Sequence, residues 1–381
     1  MPELELSDFL DKKGEEYAPF DPDRFRNFIN TARDKLQHIN PKIVQIVGTN
    51  GKGSTGRFLA TMLVSGGFRT AHFTSPHVVS VAERFWLNGV DSGYEELSSA
   101  HLELSAMFGE GLDGLSYFEY LTLLGYYHLG SRSDILILEA GVGGEYDSTN
   151  GFAKELLLVT KISKDHIEML GDTVYEIART KLAASNCKTV VAKQEFACEV
   201  ESAAKALGIS YNRVADLVDK NEMDTILGHA KECGFASYLV ENLLTAYAGA
   251  KHFLQSPNIK AALPPRYRFF RYKKNIILDV GHNVDAAKAI RGELEGGKVT
   301  LVFNAYADKN PEHSLEVLKP VLRNVLILPI DSKRAIKKEK LIEILDKIEI
   351  EFGDFEDIDE SRNYLVFGSF AVVAEFLRRG F

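Results

Sequence analysis

Residues 48–55 read GTNGKGST, between the apolar run IVQIV and a stretch with helical spacing. Glycines at 48, 51 and 53 permit tight curvature, and the amides that open a helix then converge on an anion. Lys52 adds a point charge for a phosphate, and Ser54 or Thr55 adds a hydroxyl. The common phosphate loop has a longer gap before its Gly-Lys-Ser/Thr. Here only two residues separate Gly48 from Gly51, and Gly53 stands between Lys52 and Ser54. The competing reading is a glycine-rich turn that holds nothing. A lysine at the strand-to-helix junction favours the phosphate.

Further groups fall where ligands bind in open parallel sheets, beyond the carboxyl ends of strands. Glu139 ends the apolar run in ILEAGVGGEYDSTN, residues 137–150, and is a natural magnesium partner beside a phosphate. The glycines after it allow close backbone approach, although an edge glutamate in a glycine turn has the same look. Ser75, in FTSPH, can complete a magnesium shell, or belong to a plain Ser-Pro turn. His166 lies in a polar loop, where most histidines are solvated. Lys181 shares helical spacing with Val174, Ile177 and Ala178, which places it on an apolar face. A lysine there needs a partner, a shifted pKa or modification, unless it snorkels. In NIILDVGHNVDAAKAI, Asp279, His282, Asn283 and Asp285 cluster between a strand and a helix. Asp279 can take ribose hydroxyls and His282 a carboxylate, or Asn and Asp simply cap the helix. Arg266, just after Pro264-Pro265, can reach a phosphoryl group or be an ordinary surface arginine.

These groups need strands and helices to hold them. KIVQIV (42–47) reads as a buried strand and residues 52–65 as a helix stopped by Gly66-Gly67. RTAHFTSP, DILILEAG and ELLLVTKI are further strands, and ASYLVENLLTAYAGAKHF is a helix. Strand–helix alternation of this kind implies a mostly parallel sheet covered by helices. Residues 211–237 are irregular and charged. LPPRYR marks a boundary, after which NIILDVG, KVTLVFNAY, NVLILPI and NYLVFGSF alternate with helices. The expected fold is therefore α/β, with domains at 1–264 and 265–381, the second smaller. The acidic run EIEFGDFEDIDE reads as a solvated connection.

Composition narrows the function classes. The 381 residues carry 45 Lys plus Arg against 54 Asp plus Glu, a formal charge of -9. That balance argues against a sequence-independent nucleic-acid binder. Three scattered cysteines make neither a disulfide framework nor a zinc site, and a reducing cytoplasm fits. The acidic N-terminus lacks the pattern of a signal peptide, and no apolar run approaches the roughly 20 residues of a membrane span. The expectation is a soluble, cytoplasmic monomer acting on small molecules, with no nucleic acid or membrane partner.

Taken together, VGTNGKGST, TSPHVVSVAERFWLNG, FEYLTLLGYY, DILILEAGVGGEYDSTN, DHIEMLGDTVYEIARTK, DVGHNVDAA and the terminal FGSF resemble the folylpolyglutamate synthase and dihydrofolate synthase branch of the Mur ligase superfamily. They run in the family's order from about residue 43 to residue 370. The resemblance implies an ATP-binding, P-loop-containing domain, a Rossmann-like C-terminal domain that binds glutamate, and an active site between them. By that analogy the loop Gly48, Thr49, Asn50, Gly51, Lys52, Gly53 and Ser54 cradles ATP, with Lys52 on its phosphates. Ser75 and Glu139 hold one magnesium ion and His166 a second, and Lys181 matches a position often carbamylated. Arg266 contacts phosphate, Asn242 and Asp279 help hold the nucleotide, and His282 and Ser369 sit near the incoming glutamate.

Some positions differ from the family pattern. Tyr238 and Leu239 stand where a His-Gln pair is usual, Glu145 replaces a common Arg, and Leu182-Ala183-Ala184 follows Lys181 where Ala-Gly-Ile is usual. The reaction implied is ATP-dependent ligation of L-glutamate to dihydropteroate, a reduced folate, or both. Carboxylate is activated as an acyl phosphate, and the amine of glutamate displaces phosphate. The rivals are another amino-acid ligase of the superfamily and a nucleotide-binding homologue without ligase activity.

Overall fold

The computed structural model describes residues 5–14, 21–264, 270–294 and 296–381. Contacts gather the described residues into two compact units. One comprises residues up to Phe235 together with Leu239–Leu263, and the other Ala236–Tyr238 and the residues from Pro264 onward.

The first unit is built on an eight-stranded sheet ordered β4-β3-β2-β5-β1-β6-β7-β8. Its strands are β1 Lys42–Val47, β2 Thr70–Phe73, β3 Phe85–Leu87, β4 Val90–Asp91, β5 Ile135–Glu139, β6 Leu156–Val159, β7 Lys188–Val191 and β8 Asn212–Arg213. β1 runs parallel to both β5 and β6, whereas β3 turns back antiparallel on β2 and β4 on β3. From Ile43 to Val47 β1 is buried on both faces. This explains a run with no alternation, as expected for a central parallel strand.

Helices of this unit are α1 Leu6–Lys13, α2 Arg24–Leu36, α3 Lys52–Ser65, α4 Tyr94–Phe108, α5 Tyr117–Gly130, α6 Ile167–Leu170, α7 Val174–Leu182, α8 Ala197–Ala206, α9 Val214–Leu217, α10 Lys220–Glu232 and, from Leu239 on, α11 Ser237–Ala250. One sheet face packs on α1, α2, α4 and α5, and further along on α7 and α8. α3 and α11 lie on the opposite face. There Gly56 meets the buried His72 ring and Gly249 meets Leu158, each too closely for a Cβ. The irregular stretch after residue 211 folds into α9 and α10, with Ile226 and Ala230 as the buried stripe of α10.

The second unit carries a six-stranded sheet ordered β13-β12-β11-β14-β10-β9. Its strands are β9 Phe270–Lys273, β10 Ile276–Leu278, β11 Val299–Phe303, β12 Leu322–Ile327, β13 Phe352–Asp354 and β14 Tyr364–Phe367. All neighbours are parallel except β9, which pairs antiparallel with β10. The helices are α12 Val284–Glu293, α13 Pro311–Leu318, α14 Lys338–Lys347 and α15 Phe370–Arg378. One expectation is corrected here. The acidic run 349–360 is not a solvated connection throughout, because β13 adds an edge strand to β12, and Ile350 and Phe355 are buried among the carboxylates. The apolar residues between the charges decided that placement. Among the described residues no helix is long and apolar enough to cross a membrane.

Candidate active site

The glycine loop follows β1 at the carboxyl edge of the first sheet. Its backbone is pinned to the chain after β6: Thr49 N donates to Lys161 O at 2.9 Å, and Thr49 Oγ1 and Ser163 exchange bonds of 2.9 and 3.0 Å. Two glycines are sterically required. A Cβ on Gly48 would lie 1.9 Å from Thr160 Oγ1, and one on Gly51, at φ 88°, would lie 2.2 Å from Asn242 Oδ1. Asn242, buried on α11, thus packs directly against the loop. Gly51 caps α3, whose first turn opens at Lys52. A helix leaves its first amides without intrahelical acceptors, and its dipole favours an anion there. Ser54 is buried within that turn.

Two lysines converge on one carbonyl. Lys52 Nζ donates to Gly48 O at 3.2 Å, and Lys181 Nζ donates to the same oxygen at 2.9 Å. Lys181 is 3% exposed on α7. Burial, and then the neighbouring Lys52 charge, bring its amine down to about 7. Asp165 and Asp147 pull the other way. His166 is beside Asp165, with Nε2 4.0 Å from Asp165 Oδ2, and precedes α6 in a left-handed conformation. The lysine therefore belongs to the loop's immediate surroundings and does not snorkel to solvent.

Glu139, buried at the end of β5, lies against the start of α3. A Cβ on Gly53 would be 3.2 Å from both Glu139 Oε2 and Thr74 Oγ1. The carboxylate accepts the Thr74 hydroxyl and, at 3.2 Å, the Ser75 amide. Thr74 is a site residue that motif reading missed, since attention fell on the serine of TSPH. The segment that carries Thr74 and Ser75 is closed by Thr74 N donating to Arg84 O at 3.0 Å. Inside it the Glu83 carboxylate accepts the amides of Val78, Val79 and Ser80 at 2.9, 2.8 and 2.9 Å. Arg84 Nε donates to His77 Nδ1 at 2.9 Å, and burial and the Arg84 charge push that imidazole down to about 3. The local signal for Glu83 was present in SVAE, a capping-box spacing confirmed at Ser80.

The GVGGEYDSTN loop is organised by Asp147. Its carboxylate accepts Gly141 N, Val142 N and Thr149 N at 2.9, 3.1 and 3.0 Å, and the Thr149 hydroxyl at 2.5 Å. Gly144 needs to be glycine for a different reason: a Cβ would lie 2.8 Å from Lys181 O. The loop thus fixes α7, and with it Lys181, beside the glycine loop.

At the carboxyl edge of the second sheet, Asp279 is buried and accepts Gly281 N at 2.7 Å and the Tyr238 hydroxyl at 2.6 Å. Asn283 caps α12 by accepting Ala286 N at 2.9 Å, and Ser369 caps α15 by accepting Val372 N at 3.2 Å. His282 Nδ1 lies 3.3 Å from Val280 O, and its ring lies 6.3 Å from that of Phe370. Arg266 lies outside the described residues.

The Glu139 carboxylate and the Thr74 hydroxyl offer hard oxygens, which suit magnesium better than zinc or copper. Among the described residues no group of three or more His, Cys, Asp or Glu side chains could hold a metal alone. Magnesium usually takes only one or two carboxylates, the rest being water and substrate phosphate. Glu139 with the Thr74 hydroxyl therefore fits a magnesium–nucleotide, not a free metal centre, and Ser75 reaches the carboxylate through its amide.

No family model matches the chain. It is, however, 37% identical to a folylpolyglutamate synthetase of Helicobacter pylori of known structure, with 98% of this chain and 97% of that one covered and a TM-score of 0.78. It is 28% identical over 330 residues to the dihydrofolate synthase/folylpolyglutamate synthase of Escherichia coli K12, covering 80% of this chain and 77% of that protein. A bifunctional folylpolyglutamate synthase/dihydrofolate synthase with Mn, AMPPNP and L-glutamate bound has the same fold at 23% identity, with a TM-score of 0.80 over 99% of this chain and 98% of that one.

Proposed function

The chain belongs to the folylpolyglutamate synthase/dihydrofolate synthase family of ATP-dependent ligases, and on that premise we propose that it joins L-glutamate to dihydropteroate, a reduced folate, or both. The observation that carries the reading is the meeting of Lys52, the open first turn of α3 and the Glu139 carboxylate around Gly53. This arrangement offers donors and a cation to a phosphate, with a carboxylate alongside for a divalent metal. A relative with Mn, AMPPNP and L-glutamate bound accords with ATP, a divalent cation and glutamate as the small molecules used.

The chemistry follows from what each group can do. A carboxylate is a poor electrophile because oxide would have to leave. Phosphorylation by ATP turns it into an acyl phosphate, and the amine of glutamate then expels phosphate to form the amide. Lys52 and the α3 amides stabilise charge on the transferring phosphoryl group. Glu139, with Thr74 and Ser75, would hold a magnesium ion, and His166 a second. Bound magnesium supplies charge neutralisation on the phosphate oxygens. Glu83 keeps the Thr74–Ser75 segment in place by tying down the backbone that follows it. Asn242 and Asp279 would hold the nucleotide, with Arg266 on phosphate. His282 and Ser369 would face the glutamate. The assignment of most nucleotide contacts to residues 1–264, and of glutamate to residues 265–381, is part of this proposal.

Lys181 is suited to carbamylation. Its lowered pKa leaves much of the amine neutral near pH 7, the form that adds carbon dioxide with release of a proton. The carbamate keeps one N–H, enough to retain the bond to Gly48 O, and places negative charge beside Lys52. The enzyme is taken to work as a monomer on these small molecules in the cytoplasm.

The test supplies purified protein with ATP, magnesium and glutamate, and each pterin acid in turn, while ADP is measured. Acid-dependent ADP release with at least one is expected. Its absence with both would remove the ligase assignment in favour of a nucleotide-binding homologue.

A further inference from the structure

One imidazole of the first unit is held in a single tautomer by its neighbour. Arg84 Nε donates to His77 Nδ1 at 2.9 Å. A guanidinium only donates, so Nδ1 is the accepting nitrogen and Nε2 of the neutral ring carries the proton. Burial, and then the Arg84 charge, keep that ring neutral at pH 7. Arg84 is itself set in place: it is 1% exposed, and its guanidinium lies 5.7 Å from the centre of the Tyr117 ring at the start of α5. The Glu83 carboxylate binds the amides of Val78, Val79 and Ser80, which fixes the chain that follows the histidine. Among the described residues Nε2 has no hydrogen-bond partner, and the half-buried side chain leaves it open to solvent.

The order of the sheet says what this donor can face. The glycine loop follows β1, Glu139 ends the neighbouring β5, and the segment with Thr74, Ser75 and His77 leaves β2, the next strand out. Ser75 N lies 3.2 Å from Glu139 Oε2, and two residues of chain span at most about 7 Å, so His77 starts close to that carboxylate. On the function proposed above, phosphate sits at the β1 loop and the metal at the end of β5. The next place along the edge, at β2, falls to the carboxyl group that receives the phosphoryl group. We propose that His77 donates through Nε2–H to a carboxyl oxygen of the acid substrate and stays on it when that oxygen becomes the carbonyl of the acyl phosphate. When the amine of glutamate adds to the carbon, this oxygen takes the negative charge, and it returns the charge as the bond to phosphate breaks. The imidazole proton remains on Nε2 throughout. A fixed donor of this kind is worth most where charge develops. The inference rests on the ligase reading and adds to it a residue for the acid.

The test measures acid-dependent ADP release by the full chain, with magnesium and glutamate present, for the wild type, His77→Asn and His77→Gln. Asparagine keeps an oxygen where Nδ1 stood, as an acceptor for Arg84, and removes the outer N–H. Glutamine reaches the position of Nε2 and restores an N–H there. His77→Asn should lose about a hundredfold in kcat, the scale of one oxyanion donor, with unchanged affinity for magnesium–ADP by calorimetry. His77→Gln should recover most of the loss. Unchanged kcat in a folded His77→Asn overturns the proposal. So does a loss matched by weaker magnesium–ADP binding, which would make the histidine a support for the metal segment. A folded His77→Gln no better than the asparagine variant also counts against it. Should neither variant fold, nitrogen-15 NMR of the histidine-labelled wild type decides. Adding the pterin acid with magnesium–ADP should move the Nε2 signal of an imidazole in the Nε2–H tautomer, and no such shift overturns the proposal. A wild type that binds magnesium–ADP but shows no acid-dependent turnover would instead remove the ligase reading, and this inference with it.

Discussion

The carboxyl edges of the two sheets both gather polar residues, but they are built differently. At the first edge the backbone does most of the work. Glycines admit side chains to distances that no Cβ would allow, and two lysines share the Gly48 carbonyl. At the second edge several candidate groups already hold local structure: Asn283 and Ser369 cap helices, and Asp279 is bonded to its own turn and to Tyr238. On the function proposed above, charge stabilisation falls to the first edge, where the groups are dense and preorganised. On the same proposal the second edge reads polar groups of a substrate.

Substitutions can break that contrast. The largest effect is expected for Lys52→Ala, which removes the cation at the first position of α3. Turnover should fall by at least about a thousandfold with the fold intact by circular dichroism. Retained turnover would take the phosphate role away from the first edge. Glu139→Gln should lower kcat/KM by about a hundredfold and weaken Mn binding measured without turnover by electron spin resonance. His282→Ala at the second edge should instead raise the KM for glutamate by about tenfold with little change in that for ATP, the scale of one lost hydrogen bond to a charged group. If both edges gave the same kinetic pattern, the division between them would be gone.

Lys181 sharpens the comparison through pH. Its amine is held near 7 in the folded chain against 10.5 when exposed, so between those values the unfolded state binds more protons and stability rises with pH. In carbon dioxide-free buffer, the wild type should gain roughly 3 kcal/mol or slightly more in stability relative to Lys181→Met from pH 7 to pH 10 in urea unfolding. A constant difference between the two would mean that the lysine titrates as an exposed one. The smallest effect concerns the caps of the second edge, where Ser369→Ala should cost about 1 kcal/mol of stability.

Much of this organisation was legible in local sequence. The glycine loop stands between an apolar strand and an amphipathic helix, and β1 and α3 have the bounds that this pattern predicts. The apolar spacing of Val174, Ile177, Ala178 and Lys181 placed the lysine on the packed face of α7, but did not decide between burial and snorkelling. What escaped was set by distant partners. Thr74 meets Glu139 and Tyr238 meets Asp279 only after the chain folds, and no periodicity encodes either pair. Asp147 in DSTN and Glu83 in SVAE are local hubs whose amide partners follow from turn chemistry. β13 was hidden because Ile350 and Phe355 are isolated among acidic residues, and only packing against a sheet edge reveals their use.

The central claim is chemical: the pterin carboxylate is phosphorylated before glutamate attacks. The direct measurement uses a pterin acid labelled with oxygen-18 in its carboxylate, in the presence of ATP, magnesium and glutamate, with the released phosphate analysed by mass spectrometry. An acyl phosphate intermediate predicts transfer of one labelled oxygen from the acid to each phosphate formed. Unlabelled phosphate alongside amide product would contradict it.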